Sequence, residues 1–170
     1  MKPSSWFRAL LHLSSLTAVA LAMTTAGQGQ IVTHAMNQAA IAVPAGERDA
    51  AISPEELVKL LQVPKGDQPI ILNVGPRLLY AQAHIPGAEY IAPGSSSASN
   101  EMLKKRVQAV PHGRSIVLYC GCCPWSRCPN IHPAYDELRS MGFTKVKMLY
   151  IANNFGADWV DKGYPTAKEK

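Results

Sequence analysis

All four cysteines of the chain fall within ten residues, Cys120-Gly121-Cys122-Cys123-Pro124-Trp125-Ser126-Arg127-Cys128-Pro129, and the segments on either side read as a strand and a helix. Before the cluster, Ser115-Ile116-Val117-Leu118-Tyr119 is a short apolar run with β-branched members, bounded by Pro111 and Gly113. That is the pattern of a strand buried on both faces of a parallel sheet. After it, Asn130 is the expected N-cap of a helix with Pro133 in its first turn. Ile131, Tyr135 and Leu138 share one face of that helix, and Gly142 ends it. A thiol at the carboxyl end of a buried strand, before a helix N-terminus, sits where open α/β sheets bind ligands. Aligned amides and the helix dipole favour a thiolate there. Reactive thiols are therefore the expectation, with a disulfide staple or a metal knot as the plain structural alternative.

The rest of the chain alternates in the same way. Ser53-Pro54-Glu55-Glu56 is a capping box with proline at the first helical position, and Leu57, Leu60 and Leu61 form the apolar face behind it. Ile70-Ile71-Leu72-Asn73-Val74 is a second buried strand. A helical turn follows at Leu78 to Gln82, and Tyr90-Ile91 is a brief strand. Ser95 to Asn100 reads as a loop in which Asn100 caps a helix carrying Met102, Leu103 and Val107. Lys145 to Leu149 is the last strand, and Ala157 to Lys162 a final helical turn with Trp159. Strands alternating with helices predict an α/β fold with a parallel sheet.

The amino terminus has a different composition. Lys2 and Arg8 precede a mostly apolar run from Ala9 to Met23, and Ala20-Leu21-Ala22 or Thr24-Thr25-Ala26 offers a small-residue cleavage site. Residues 1–26 are thus expected to be a secretory signal peptide, 27–50 a linker or N-terminal arm, and 51–170 the domain. His12, Ser14, Ser15 and Thr17 interrupt the apolar run, which argues against a stable membrane anchor. No cysteine near the cleavage region offers a site for lipid attachment. The expected location is the periplasm or the exterior, an oxidising setting for the thiols. The formal charge of +5 falls to +3 without Lys2 and Arg8, and no basic block exceeds Lys104-Lys105-Arg106, so nucleic-acid binding is not expected.

Four features in order resemble the single-domain rhodanese family: the Ile52-Ser53-Pro54-Glu55-Glu56-Leu57 opening, His84-Ile85-Pro86-Gly87-Ala88, the strand end at Tyr119-Cys120, and Trp159 with Gly163-Tyr164-Pro165. The resemblance spans about Ala51 to Pro165. It implies a rhodanese-like sheet of about five parallel strands flanked by helices. It also implies a catalytic cysteine in a cradle of backbone amides, passing a persulfide from a small sulfur donor to a thiol acceptor without a cofactor. Three departures mark a divergent branch. Asn73-Val74-Gly75 stands where the family has Asp-Val-Arg. The loop after Cys120 is longer than the usual cysteine, four residues and arginine. Asn153-Asn154-Phe155 replaces a paired glycine.

Cys120 is the expected nucleophile. Cys122 is the alternative, because Cys122 to Arg127 restores the family spacing. Arg127 is the expected clamp for an anionic donor such as thiosulfate, with Gly121 and Trp125 completing the substrate-binding set. The cysteine-five-arginine spacing of the related phosphatases occurs in no register. Three chemistries are open to Cys122, Cys123 and Cys128: resolving a persulfide on Cys120, closing a disulfide, or joining Cys120 around Cu(I) or Zn(II). His84 is expected to be structural and bonded to backbone, His132 to tune the thiols or lie on the surface, and Trp159 and Tyr164 to belong to the core.

Overall fold

The computed structural model describes residues 43–169. The expected signal peptide and the greater part of the 27–50 arm lie outside the described residues. Five parallel strands make one sheet: β1 (Ala51–Ile52), β2 (Ile70–Asn73), β3 (Glu89–Tyr90), β4 (Ile116–Tyr119) and β5 (Val146–Leu149), in the order β1-β5-β4-β2-β3. The predicted α/β class and parallel sheet are both observed. β4 is central, with Ile70 to Asn73 of β2 opposite Ile116 to Tyr119 on one side, and Val146 to Met148 of β5 opposite Ile116 to Leu118 on the other.

Alternation along β4 divides the core. Ile116, Leu118 and Cys120 face one cluster with Leu103, Val107, Leu138 and Phe143, whereas Val117 and Tyr119 face another with Leu57, Ile85, Phe155 and Trp159. All four residues of β4 are buried. This is why the run is uniformly apolar rather than alternating. Each fully buried Leu or Ile on these faces contributes about 1.5–3 kcal/mol.

The helices are α1 (Pro54–Leu61), α2 (Arg77–Gln82), α3 (Ser97–Val107) and α4 (Ile131–Ser140). α1 starts as predicted: the Ser53 hydroxyl accepts from the Glu56 amide at 3.2 Å, and the Glu56 carboxylate accepts from the Ser53 amide at 3.0 Å. Only Leu57 of its apolar residues is fully buried, and Leu60 lies at the edge of the face with 37% exposure. α3 begins earlier than expected. Ser96 rather than Asn100 caps it, accepting from the Ser99 amide at 3.2 Å, because Ser96 in an extended conformation presents its hydroxyl to the first turn. Leu103 and Val107 of α3 are buried as predicted, with Met102 exposed.

β1 is too short to leave a period-2 signature, and it forms by pairing with β5. The final helical turn, Gly156–Val160, is a π-turn that buries Trp159 completely, and the Trp159 indole donates to the Pro165 carbonyl at 2.8 Å. Tyr164 is half-buried against this ring and donates to Glu55. His84 is structural: its Nδ1 lies 2.8 Å from the Tyr80 carbonyl, and its backbone pairs with Ala167. Among the described residues no helix is long and apolar enough to cross a membrane.

Candidate active site

β4 delivers Cys120 to the carboxyl edge of the sheet at its centre, and the chain then turns sharply. Gly121 makes that turn with φ +78, a left-handed conformation that favours glycine. A Cβ there would also lie 2.7 Å from Cβ of Phe155, whose amide donates to the Gly121 carbonyl at 3.0 Å. The loop continues through a 3₁₀ turn (Trp125–Arg127) into α4. Its middle is tied to the end of β5 by the Trp125 amide, which donates to the Ile151 carbonyl at 2.8 Å.

Gly75 also has a physical cause here. The Asn73 side chain accepts from the Gly75 amide at 3.0 Å, pulling the chain after β2 onto the Cys120 backbone. A Cβ at position 75 would stand 2.2 Å from the Cys120 carbonyl oxygen. The arginine of the family pattern has no room in this packing.

The structure brings all four cysteines together. Their sulfurs lie within 4.8 Å of one another, with Cys120 to Cys122 at 3.2 Å and Cys122 to Cys123 at 3.0 Å. All four are free thiols; Cys120 is buried and the other three are half-buried. The small pocket beside them encloses about 200 Å³ including its open mouth. Cys120, Gly121, Cys123, Trp125, Cys128 and Ile131 line it, with Leu149 and Ile151 behind. Gly121 and Trp125 therefore reach the pocket, whereas Arg127 is exposed on the 3₁₀ turn and is not part of the lining.

Two residues that the sequence reading did not place in the site hold it together. Asn130 occupies the cap position of α4 but makes no side-chain cap. Its buried amide group turns inward: Nδ2 donates to Cys120 Sγ at 3.3 Å and reaches Cys122 Sγ at 3.9 Å, while Oδ1 accepts from the Ser95 amide and hydroxyl. The expected cap gives way because the same side chain has a buried sulfur to satisfy. Gly94 permits this approach, since a Cβ there would lie 1.9 Å from the Asn130 carbonyl oxygen. The second residue is Glu47, in a 3₁₀ turn (Ala45–Ala50) that packs against the loop behind buried Val43. The Glu47 carboxylate accepts from the Trp125 indole at 2.9 Å and meets His132 Nε2 at 3.2 Å. His132 accordingly faces Glu47 and the Trp125 ring. Nothing local in the sequence marks Glu47, because its partners are far along the chain.

The electrostatics separate the thiols. Cys128 is drawn down to about 6 by the neighbouring Cys120 thiol, and by the amides of Asn130 and Ile131 at the start of α4, against the opposing effect of burial. Cys120 is pushed far up from the ordinary thiol value by the adjacent Cys128 and by burial, with only the Cys122 amide and Asn130 acting the other way. Burial and the Cys122 thiol push Cys123 up to about 12. The charge therefore rests on Cys128. The helix start expected to favour a thiolate on Cys120 acts instead on Cys128, whose sulfur lies at the amides of Asn130 and Ile131.

Comparison with solved structures shows the same fold elsewhere. The BH2092 protein of Bacillus halodurans superposes with a TM-score of 0.55 at 20% identity, covering 82% of this chain and 85% of that one. The Alr3790 protein of Anabaena sp. gives 0.53 at 24% identity, covering 69% and 92%. A full-length protein from Lactobacillus plantarum gives 0.51 at 14% identity, covering 82% and 94%. No curated protein matches the chain. The family model of the rhodanese-like domain matches residues 53–150, from the capping box of α1 to the end of β5 and through the thiol loop, and the chain belongs to that family.

Proposed function

We propose that the protein is an exported sulfurtransferase that moves sulfane sulfur from a small donor such as thiosulfate to a thiol acceptor through a persulfide on Cys120. The observation that carries this reading is the position of Cys120. It stands at the carboxyl end of the central strand in a rhodanese-like domain, lines the pocket, and has the sulfur of Cys128 within 4.8 Å as a neighbour to take its proton. As the Cys120 sulfur attacks the outer sulfur of thiosulfate, its proton passes to Cys128. The donor's S–S bond breaks, sulfite departs with the electron pair, and a persulfide anion remains on Cys120. An acceptor thiolate then attacks the outer sulfur of the persulfide. The bond to Cys120 breaks, and Cys120 takes back a proton from Cys128.

Intact mass spectrometry of the reduced, metal-free mature protein, before and after thiosulfate, tests this. One added sulfur atom mapping to Cys120 is expected; mapping to Cys122 moves the nucleophile there, and no uptake ends the reading. The rate should also depend on pH through Cys128. Below about 6 this thiol is protonated and accepts no proton from Cys120, so the rate falls roughly tenfold for each unit of further acidification. Above that value the rate should level off. In Cys128→Ser the rising limb should move to higher pH, because no depressed thiol then remains beside Cys120. An unchanged profile in that variant would rule out Cys128 as the proton acceptor.

A further inference from the structure

Four sulfur atoms, unmixed with carboxylate or imidazole, converge on one point of the loop. A tetrahedral zinc with Zn–S bonds of about 2.3 Å needs S···S edges of about 3.8 Å. The observed separations, 3.0 and 3.2 Å for two neighbouring pairs and at most 4.8 Å overall, lie on both sides of that requirement. Closing the tetrahedron takes adjustments of about 1 Å or less. An all-thiolate set suits soft or borderline ions and leaves nothing for magnesium or calcium to bind. The surroundings match the ligands as well. Asn130 Nδ2 donates to Cys120 Sγ and is fixed from behind by Ser95 at 2.8 and 3.2 Å, the kind of outer support that orients a metal's ligands. Cys122 and Cys123 are half-buried, which leaves a side for entry.

We infer that the loop is a four-thiolate zinc site, with Cys120, Cys122, Cys123 and Cys128 as ligands. Zinc and a sulfur donor then compete for Cys120, so the loaded protein takes up no sulfur until the metal is withdrawn. That consequence rests on the sulfur-transfer reading above; the site itself does not.

The test titrates the reduced, metal-free mature protein with Zn(II) in the absence of oxygen, read by native mass spectrometry and zinc X-ray absorption. The expected result is one zinc per chain with four sulfurs at about 2.3 Å. Cys123→Ser, at the rim, should weaken binding by more than about tenfold, since even outer-sphere changes cost that much. A metal-free melting curve like that of the parent shows that the variant is folded. No zinc bound at equimolar metal, fewer than four sulfurs around it, or undiminished affinity in Cys123→Ser would each overturn the site. Sulfur uptake by the metal-free protein is measured separately. Uptake without zinc binding removes the metal site alone, and zinc binding without uptake removes the sulfur-transfer reading alone.

Discussion

Cys120→Ser is expected to lower persulfide formation by at least about 10³-fold, the scale on which removing a covalent nucleophile acts. Serine occupies nearly the same volume and still accepts from Asn130 Nδ2, so the melting temperature should change little and the loss can be assigned to chemistry. Its hydroxyl, with a far higher pKa than a thiol, is a poor nucleophile toward divalent sulfur. Cys122→Ser and Cys123→Ser should keep the first half-reaction, because Cys128, drawn down to about 6, remains to take the Cys120 proton. Sulfite release measured in a single turnover checks the whole series. Full release from Cys120→Ser, with its loss in Cys122→Ser, would transfer the nucleophile's role to Cys122, 3.2 Å away.

Gly75→Ala, like Gly94→Ala, should be a severely damaging addition of a single methyl group near the site. The new Cβ at position 75 would stand 2.2 Å from the Cys120 carbonyl oxygen and 3.0 Å from its carbonyl carbon. The obstacle is backbone at the end of the central strand, held on the other side by β5, so it cannot swing away as a side chain would. Overpacking that must move backbone costs at the upper end of the usual range, about 3 kcal/mol. A loss of that size lowers the melting temperature by roughly 10 °C. Calorimetry checks the stability. Sulfur uptake by the fraction that remains folded should also fall, since any shift that relieves the clash moves Cys120. A melting curve unchanged from the parent would rule out the close approach of Gly75 to the Cys120 carbonyl.

The class of the fold and the order of its elements were legible in the residues alone. Buried parallel strands read as unbroken apolar runs, and Ile116-Val117-Leu118-Tyr119 and Ile70-Ile71-Leu72 could be placed from that alone. The capping box at Ser53 and the meeting of the thiols after Tyr119 were equally legible, because both depend on neighbours within a few residues. Choices that involve distant partners depend on how the chain folds back on itself. Asn130 looks like a helix cap until the sulfur of Cys120, ten residues earlier, competes for its amide. Glu47 carries no local signal, since it acts by receiving the indole of Trp125. Gly75 reads as a missing arginine, and only the approach of the Cys120 carbonyl shows why a side chain has no place there. The distribution of charge among the thiols is decided in the same way. Spacing put a helix start after the loop, but which sulfur lies at its amides depends on how the loop folds back, and that sulfur belongs to Cys128.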